Sequence, residues 1–461
     1  MKNWNQLFIR QGWLLQEDGE NNFKCEQETE ANMAFLLACL DNAQADYIYS
    51  ERKRTLQMKS PAMTEEAWLQ VVGVLGRGRI GYIATWKEFL EVEKLDLYIS
   101  GVVRQLNRLN LKTAGSCDGH GQSRPAEISL IKDDDVDLVL LENLLALELP
   151  RIRRQDRGNW ITFTLGQRSV AHLNLAETLS KIRVEWLELG IDYIKQQLFN
   201  VTLEELLKIP GTSGAEGHVR KVVMDKLSPY VDRMTVDKYG NILAEKTFRT
   251  GNGPTVLLNA HLYVVEELVE SRIIVKDNGI WSSSEGILGA DDRAGVAVIL
   301  EVAKTLQQDT AFSGKVKYIF TVEEEIGLVG ARNVAEYFLW DVDVAMVIDR
   351  RGTGDIVTSF GGNISFCDDA YGEWIEQQAL EAGLDGWRCT AGGSSDTRIW
   401  AQQGIQSVNL SAGYYNEHTE AEILDVNACY NTVKLVKSVL KNGRSLRSIL
   451  RNSTRTSANL L

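Results

Sequence analysis

Thr255-Val-Leu-Leu-Asn-Ala-His261 is a mostly apolar run that ends on a histidine, and its reading decides the fold of the second half of the chain. A short apolar run bounded by polar or glycine positions fits a buried parallel strand. Two further runs repeat the arrangement: Lys317-Tyr-Ile-Phe-Thr-Val322 leads into Glu323-Glu324-Glu325, and Val344-Ala-Met-Val-Ile348 leads into Asp349. Between them, Ala294 to Gln308 carries apolar residues at helical spacing, so the order is strand, helix, strand. Open parallel sheets place ligands outside the carboxyl ends of their strands. In this chain those ends carry acids and histidines.

The ordered set is His261, Asp291, Glu324 with Glu325, Asp349 and His418. Histidines and carboxylates in this mixture supply the ligands and the general base that a two-metal hydrolase needs. Each member also has a plainer reading. Asp291 and Asp292, just ahead of a helix, would stabilise its N-terminus by charge alone. The set is harder to dismiss than its members, because the chain has only five histidines and two of them stand in this series.

Four stretches carry a resemblance: Ile209-Pro-Gly-Thr-Ser-Gly-Ala-Glu216, Val236-Asp-Lys-Tyr-Gly-Asn241, Leu288-Gly-Ala-Asp-Asp-Arg-Ala-Gly295 and Phe320-Thr-Val-Glu-Glu-Glu-Ile-Gly327. In this wording the chain resembles the co-catalytic zinc exopeptidases, and within that clan the peptidase T family, over residues 200–443. The resemblance implies a three-layer α/β/α, phosphorylase/hydrolase-like catalytic domain. It makes His261 and Asp349 partners of one metal, His418 and Glu325 partners of the other, and Asp291 the bridge. It further implies two divalent ions, zinc with cobalt or manganese as alternatives, with Glu324 as the base that activates a water between them. A cis peptide between Asp291 and Asp292 also belongs to the pattern. Ala391-Gly-Gly-Ser-Ser-Asp-Thr397, Gly404-Ile-Gln-Ser-Val-Asn-Leu410 and Gly413-Tyr-Tyr-Asn-Glu-His-Thr419 resemble the segment that leads into the last metal histidine, and Glu422 fits it as well. Gly392, Gly393 and Ser394 read either as an ordinary turn or as a substrate-side loop.

Two departures bear on function. The family motif is His, any residue, Asp, with the acid orienting the histidine, whereas this chain reads His261-Leu262-Tyr263. Loss of such a partner typically costs about 10–100-fold in metal affinity or activity, and Glu266 or Glu267 stand near enough in sequence to substitute. The second departure is length: two expected ligands stand only 418 − 349 = 69 positions apart, too few for the family's inserted lid and dimerisation domain. A lidless core is expected. Arg350 and Arg351, directly after Asp349, could narrow the site or bind an anionic group; a solvated pair is the plainer reading.

A chain of 461 residues allows two domains. The expected division is an N-terminal mixed α/β domain over 1–197, the catalytic domain over 198–443 and a basic tail over 444–461. In the first half, helices are expected near Glu28–Asn42, Glu65–Leu75, Trp86–Arg108, Asp135–Leu147 and Leu175–Gln197, and strands at Ala126–Ile131 and Trp160–Leu165. Leu111-Lys-Thr-Ala-Gly-Ser-Cys-Asp-Gly-His-Gly121 pairs Cys117 with His120 at metal-ligand spacing, but no second pair lies near in sequence to complete a four-ligand zinc site. A tight turn, a ligand-binding loop and a Cys-His nucleophile stay open there, in that order. Asp133-Asp134-Asp135 reads as a helix cap before it reads as a cation site.

Six cysteines, at 25, 39, 117, 367, 389 and 429, are scattered without a framework, as reduced thiols are. No apolar stretch reaches the roughly 18–20 residues needed to span a bilayer, and Met1-Lys-Asn-Trp-Asn-Gln6 lacks a signal-peptide core. A cytoplasmic location without membrane attachment is expected. The net charge of −13 argues against broad nucleic-acid binding. The tail is the exception, with Arg444, Arg447, Arg451 and Arg455 and no acid; it reads as a disordered or partner-docking segment or as a short amphipathic helix. The expected activity is metal-dependent cleavage of a peptide or small amide at a peptide terminus. An amidohydrolase or deacylase on a non-peptide substrate is the alternative enzyme, and a degenerate metallopeptidase acting as a regulatory or binding protein is the alternative from another class. The N-terminal domain or the tail would be where a protein partner docks.

Overall fold

The parallel strands read from the apolar runs all form, and Thr255–His261 is central among them. It pairs in parallel with Gly314–Thr321 on one side and with Val344–Arg350 on the other, and Val344–Arg350 pairs in parallel with Gln406–Ser411. All seven residues of Thr255–His261 are buried, which is why the run shows no alternation of polar and apolar positions. Further strands extend this sheet to nine: Ile242–Phe248 and Arg233–Val236 join by antiparallel pairing at one end, and at the other Asp355–Phe360 joins antiparallel to Gln406–Ser411 and carries Ile364–Ser365 antiparallel and Arg388–Gly392 in parallel. The computed structural model describes residues 2–73, 77–78, 90–121, 124–132, 137–212, 216–269, 271–308 and 311–458, and over these the chain is mixed α/β with four sheets. It divides into two units, Met1–Leu198 and Phe199–Leu461.

In the second unit the helix Ala290–Leu306 lies on Thr255–His261 and Val344–Arg350. Val296, Val298, Ile299 and Val302 from the helix meet Val256, Leu258, Met346 and Ile348 from the strands in one core. Full burial of each such side chain contributes about 1.5–3 kcal/mol. The helix approaches closely because Gly295 has no side chain: a Cβ there would lie 2.0 Å from the Ile348 carbonyl oxygen. A small antiparallel sheet joins Ile274–Asp277, Ile280–Ser283, Ile423–Asp425 and Tyr414–Tyr415. The connection between Tyr414–Tyr415 and Ile423–Asp425 carries His418. Residues Gly443–Ala458 form a helix, with Leu446 buried in the main core and Ser445 Oγ accepting a hydrogen bond from Trp374 Nε1 at 3.1 Å.

The first unit holds two antiparallel four-stranded sheets, one of Gln16–Glu17, Asn22–Lys24, Thr55–Met58 and Tyr47–Ser50, the other of Thr113–Cys117, Glu127–Ile131, Trp160–Thr164 and Arg153–Arg157. Each has its own apolar core, the first built around Trp4, Phe8, Trp13 and Trp68. Helices occur at Glu30–Asn42, Glu65–Val72 and Leu138–Leu145, the last capped by Asp137, which accepts from the N–H groups of Val139 and Leu140. Asp133, Asp134 and Asp135 lie outside the described residues.

Two helical expectations need correction. Within Trp86–Arg108 only Ser100–Arg108 is α-helix, preceded by a single 3-10 turn at Val92–Lys94; residues 86–89 lie outside the described residues. A side chain intervenes: the Tyr98 N–H donates to Asp118 Oδ2 at 3.2 Å instead of to a helical carbonyl. The stretch Leu175–Gln197 is two α-helices, Val170–Ser180 and Gly190–Leu207, because Arg183 is extended and Gly190 takes a left-handed φ of 82°. Arg153–Arg157 went unread as a strand for a simple reason: all five residues are exposed, so it carries no apolar signal.

Candidate metal centre

Asp291 stands at the start of the helix Ala290–Leu306, where backbone N–H groups have no helical partners. The Glu422 carboxylate takes three of them, accepting from Gly289, Ala290 and Asp291 at 2.7, 2.9 and 3.1 Å. The Asp291–Asp292 peptide is cis. Asp292 faces inward, accepting the N–H groups of His261 at 3.2 Å and Gly295 at 2.9 Å. Asp291 faces the cluster. Its Oδ1 lies 3.1 Å from His261 Nε2 and its Oδ2 lies 3.0 Å from His418 Nε2.

Behind each histidine stands a further carboxylate. Asp349 Oδ1 is 3.6 Å from His261 Nε2, and Glu325 Oε1 is 2.6 Å from His418 Nε2. One potential ligand group is therefore His261, Asp291 and Asp349, a second is Asp291, Glu325 and His418, and Glu324 groups with His261 and Glu325; within each, the donor atoms lie within 4.8 Å of one another. With Glu324 and Glu325 taken together, successive members stand 24 to 69 positions apart in the chain, on or just after strands of the main sheet (His261, Glu324 and Glu325, Asp349), at a helix start (Asp291) and in a loop (His418), and the fold brings them together.

The surroundings fix these side chains. Asn409 accepts the Asp349 N–H at 3.0 Å and donates to its carbonyl at 2.9 Å, while the Tyr414 hydroxyl donates to Asp349 Oδ1 at 3.0 Å. The glutamate loop is clamped by Asn241, which accepts from Val322 N–H at 3.1 Å, donates to the Gly330 carbonyl at 3.0 Å and is itself held by Asp237. Thr321 donates to buried Asp396 at 2.6 Å. Glu323 and His418 take left-handed backbone conformations, φ 52° and 63°, of the kind that gather at functional loops. Sequence reading did not single out Tyr414, Asn409 or Asp396, although all three fall inside or beside the quoted C-terminal stretches.

Tyr263 stands where the resemblance implies an acid, and its contacts are of another kind. Its ring lies against the His261 imidazole, with centroids 4.9 Å apart, and its hydroxyl accepts the N–H of Glu325. The buried Nδ1 of His261 has no hydrogen-bond partner among the described residues. Glu266 and Glu267 are exposed and do not substitute for the missing acid. The segment is tied down instead by fully buried Arg293, which donates to the carbonyls of Leu262 and, at 3.2 Å, Ile209. Arg350 pairs with Asp355 and Arg351 with Glu417, each at 3.0 Å. Gly393 and Ser394 are exposed and Gly392 is half-buried at the end of its strand.

Burial and crowding set the electrostatics. Burial, then the charge of Asp349, pushes Glu324 up to about 10, and burial raises Asp349 to about 7. Glu325 is raised by burial and by Asp291. The histidines respond in the opposite sense. Burial opposes the charged form of His261, but Asp349 and Asp291 hold it well above the usual imidazole range; the hydrogen bond to Asp291 lifts His418 to about 9. Asp291 lies below the carboxylate range because the two histidines outweigh its burial. Carboxylates packed this closely repel one another until cations enter, and mixed imidazole and carboxylate donors suit zinc and similar divalent ions. The donor set fits two such ions.

The sequence model of the family described as M42 glutamyl aminopeptidase matches residues 270–435. The uncharacterized protein YqjE of Bacillus subtilis is 29% identical over 137 residues, 28% of this chain and 36% of its own. Peptidase T of Escherichia coli is 29% identical over 170 residues, 34% of this chain and 38% of its own. The chain thus spans little more than a third of the length of either relative. Among solved structures, the aminopeptidase PepT of Bacillus cereus aligns with 53% of this chain and 98% of its own at 19% identity and a TM-score of 0.48. The likeness to peptidase T is partial, and the family match is to M42; both names are those of aminopeptidase-type peptidases.

Proposed function

We propose that the chain is a metal-dependent exopeptidase of the aminopeptidase type, with His261, Asp291 and Asp349 holding one divalent ion, Asp291, Glu325 and His418 a second, and Glu324 as general base. One observation carries the reading: the two oxygens of Asp291 face two different histidines at 3.1 and 3.0 Å, the disposition of a bridging ligand. Bound ions would polarise the scissile carbonyl and acidify water, the chemistry of paired metal centres. The protein's own groups do the rest. Glu324, only 6% exposed, lies beside the ligand groups without belonging to the two that hold the ions. It would take the proton of the attacking water on its carboxylate and deliver it to the departing amine nitrogen. Tyr263 keeps the neighbouring Glu325 in place through its backbone.

On this reading residues 198–443 are the catalytic domain, the nine-stranded sheet with its helices being a three-layer α/β/α core, and residues 1–197 are a domain of separate role. The span from Asp349 to His418 is filled by strands and helices of the main sheet, which supports a core with no inserted lid. The unpartnered Nδ1 of His261 favours a second reading, a degenerate site in a binding protein.

The test is hydrolysis by the full chain loaded with zinc, cobalt or manganese, assayed by mass spectrometry on peptides with free and acetylated N-termini and on N-acyl amides. Release of N-terminal residues from free peptides alone, falling about 10²–10⁴-fold in Glu324→Gln with metal retained, is expected. Cleavage of N-acyl amides alone would replace the peptidase by a deacylase, and hydrolysis of nothing by a metal-loaded chain would leave the binding protein.

A further inference from the structure

The first unit brings a third residue to Cys117 and His120. Asp96, 21 positions before Cys117 (117 − 96), sits where its carboxylate, the Cys117 sulfur and a His120 ring nitrogen lie within 4.8 Å of one another. Two loops are stitched together to make this arrangement. Asp96 Oδ2 accepts the N–H of Asp118 at 3.0 Å, while Asp118 accepts the N–H of Tyr98 at 3.2 Å through Oδ2 and that of His120 at 2.7 Å through Oδ1. Asp118 also faces Arg168 at 3.6 Å, and the Arg168 guanidinium lies over the Tyr98 ring. The carboxylate of Asp118 is thus committed to the scaffold.

Asp96 Oδ1 is not. The side chain is 5% exposed, and apart from the neighbouring Cys117 thiol, which is close enough to bond the carboxyl, this oxygen has no hydrogen-bond partner among the described residues. It lies 3.7 Å from His120 Nδ1. Donors bound at about 2.0–2.3 Å in a tetrahedron stand about 3.3–3.8 Å apart, so this pair is already at ligand spacing. The Gly119 N–H points at Cys117 Sγ at 3.3 Å, a contact that steadies a thiolate. Gly78 closes the other side, where a Cβ would fall 1.8 Å from Asp96 Oδ1.

We propose that Asp96, Cys117 and His120 form a separate, mononuclear site for one divalent cation of the zinc type. A carboxylate and a thiolate bring two negative charges to match the ion, and the neutral imidazole completes a donor set of the kind that selects zinc over magnesium or calcium. On binding, the Cys117 thiol proton passes to solvent and the sulfur–metal bond forms. The His120 ring, half exposed, borders the fourth position, which is left to water. The site shares no residue with the centre at Asp291 and does not depend on the function assigned there.

Cobalt distinguishes the two, since the Asp291 centre contains no cysteine and only thiolate ligation gives an intense near-ultraviolet charge-transfer band. Cobalt titrated into the reduced, metal-free full chain should produce that band, reaching at saturation the intensity of one thiolate-bound cobalt per chain. Cys117→Ser should abolish it, and His120→Asn, at a half-exposed position whose left-handed backbone asparagine also adopts, should weaken or abolish it with the circular dichroism unchanged. Glu325→Gln should leave it intact. A chain that binds cobalt with no such band, or a band that survives Cys117→Ser, would overturn the proposal.

Discussion

The two halves of the proposed centre around Asp291 share one carboxylate and differ in almost everything else. His261 is 2% exposed, enclosed by strand and helix, with Asp349 beside it held by Asn409 and Tyr414. His418 is 38% exposed, carried on a loop, with Glu325 beside it on another. The support is also crossed. Tyr263, adjacent in the chain to the buried histidine's segment, gives its hydroxyl to the open half by accepting the Glu325 N–H, and leaves His261 Nδ1 with no partner. A buried but incompletely supported half therefore faces a more exposed half held by the Tyr263 hydroxyl, and on the proposed reading the two ions should differ in affinity and exchange.

The shared ligand gives the largest effect. In the Cys117→Ser background Asp291→Asn should remove both ions together, and elemental analysis finding one of them retained would show that the halves are independent. Chelation should then separate what the mutation removes at once. Dilute chelator added to the loaded Cys117→Ser chain should strip metal in two phases, the ion of Glu325 and His418 leaving first because solvent reaches His418; a single phase would erase the distinction.

Tyr263→Asp sharpens the comparison further. An acid at this position can partner His261 but forfeits the Tyr263 hydroxyl on the Glu325 N–H, so the buried half should gain and the open half lose affinity, each by about 10–100-fold, the usual size of such support. Calorimetric titration of both sites reads the two changes, and tightening of both would mean the hydroxyl contributes nothing. Glu422→Gln should act least and evenly. An amide oxygen can replace only part of a carboxylate that accepts three N–H groups, so a loss of about 1–3 kcal/mol in chemical denaturation is expected, with the two metal affinities shifted alike.

How much of this the sequence disclosed follows from what each feature leaves in the chain. Thr255–His261 and Val344–Arg350 were legible because strands buried on both faces read as continuous apolar runs, and the acids and histidines at their ends follow at once. Arg153–Arg157 was illegible because an exposed charged strand looks like a loop. Tyr263 was visible as a departure but not in its effect, since its partner is a backbone group 62 positions away. Asp96 was invisible for the same reason: nothing local relates it to Cys117 and His120 until Asp118 ties their loops together. Side-chain to backbone contacts across the fold leave no spacing to read.

The most direct test of a two-ion centre with unlike halves is the number of zinc ions held by the Cys117→Ser chain, which confines strong binding to the Asp291 cluster. Equilibrium dialysis should return two ions of distinct affinity, with Glu325→Gln in the same background weakening only the weaker of them. One ion or none at saturation, or two identical ions weakened together by Glu325→Gln, would contradict the account.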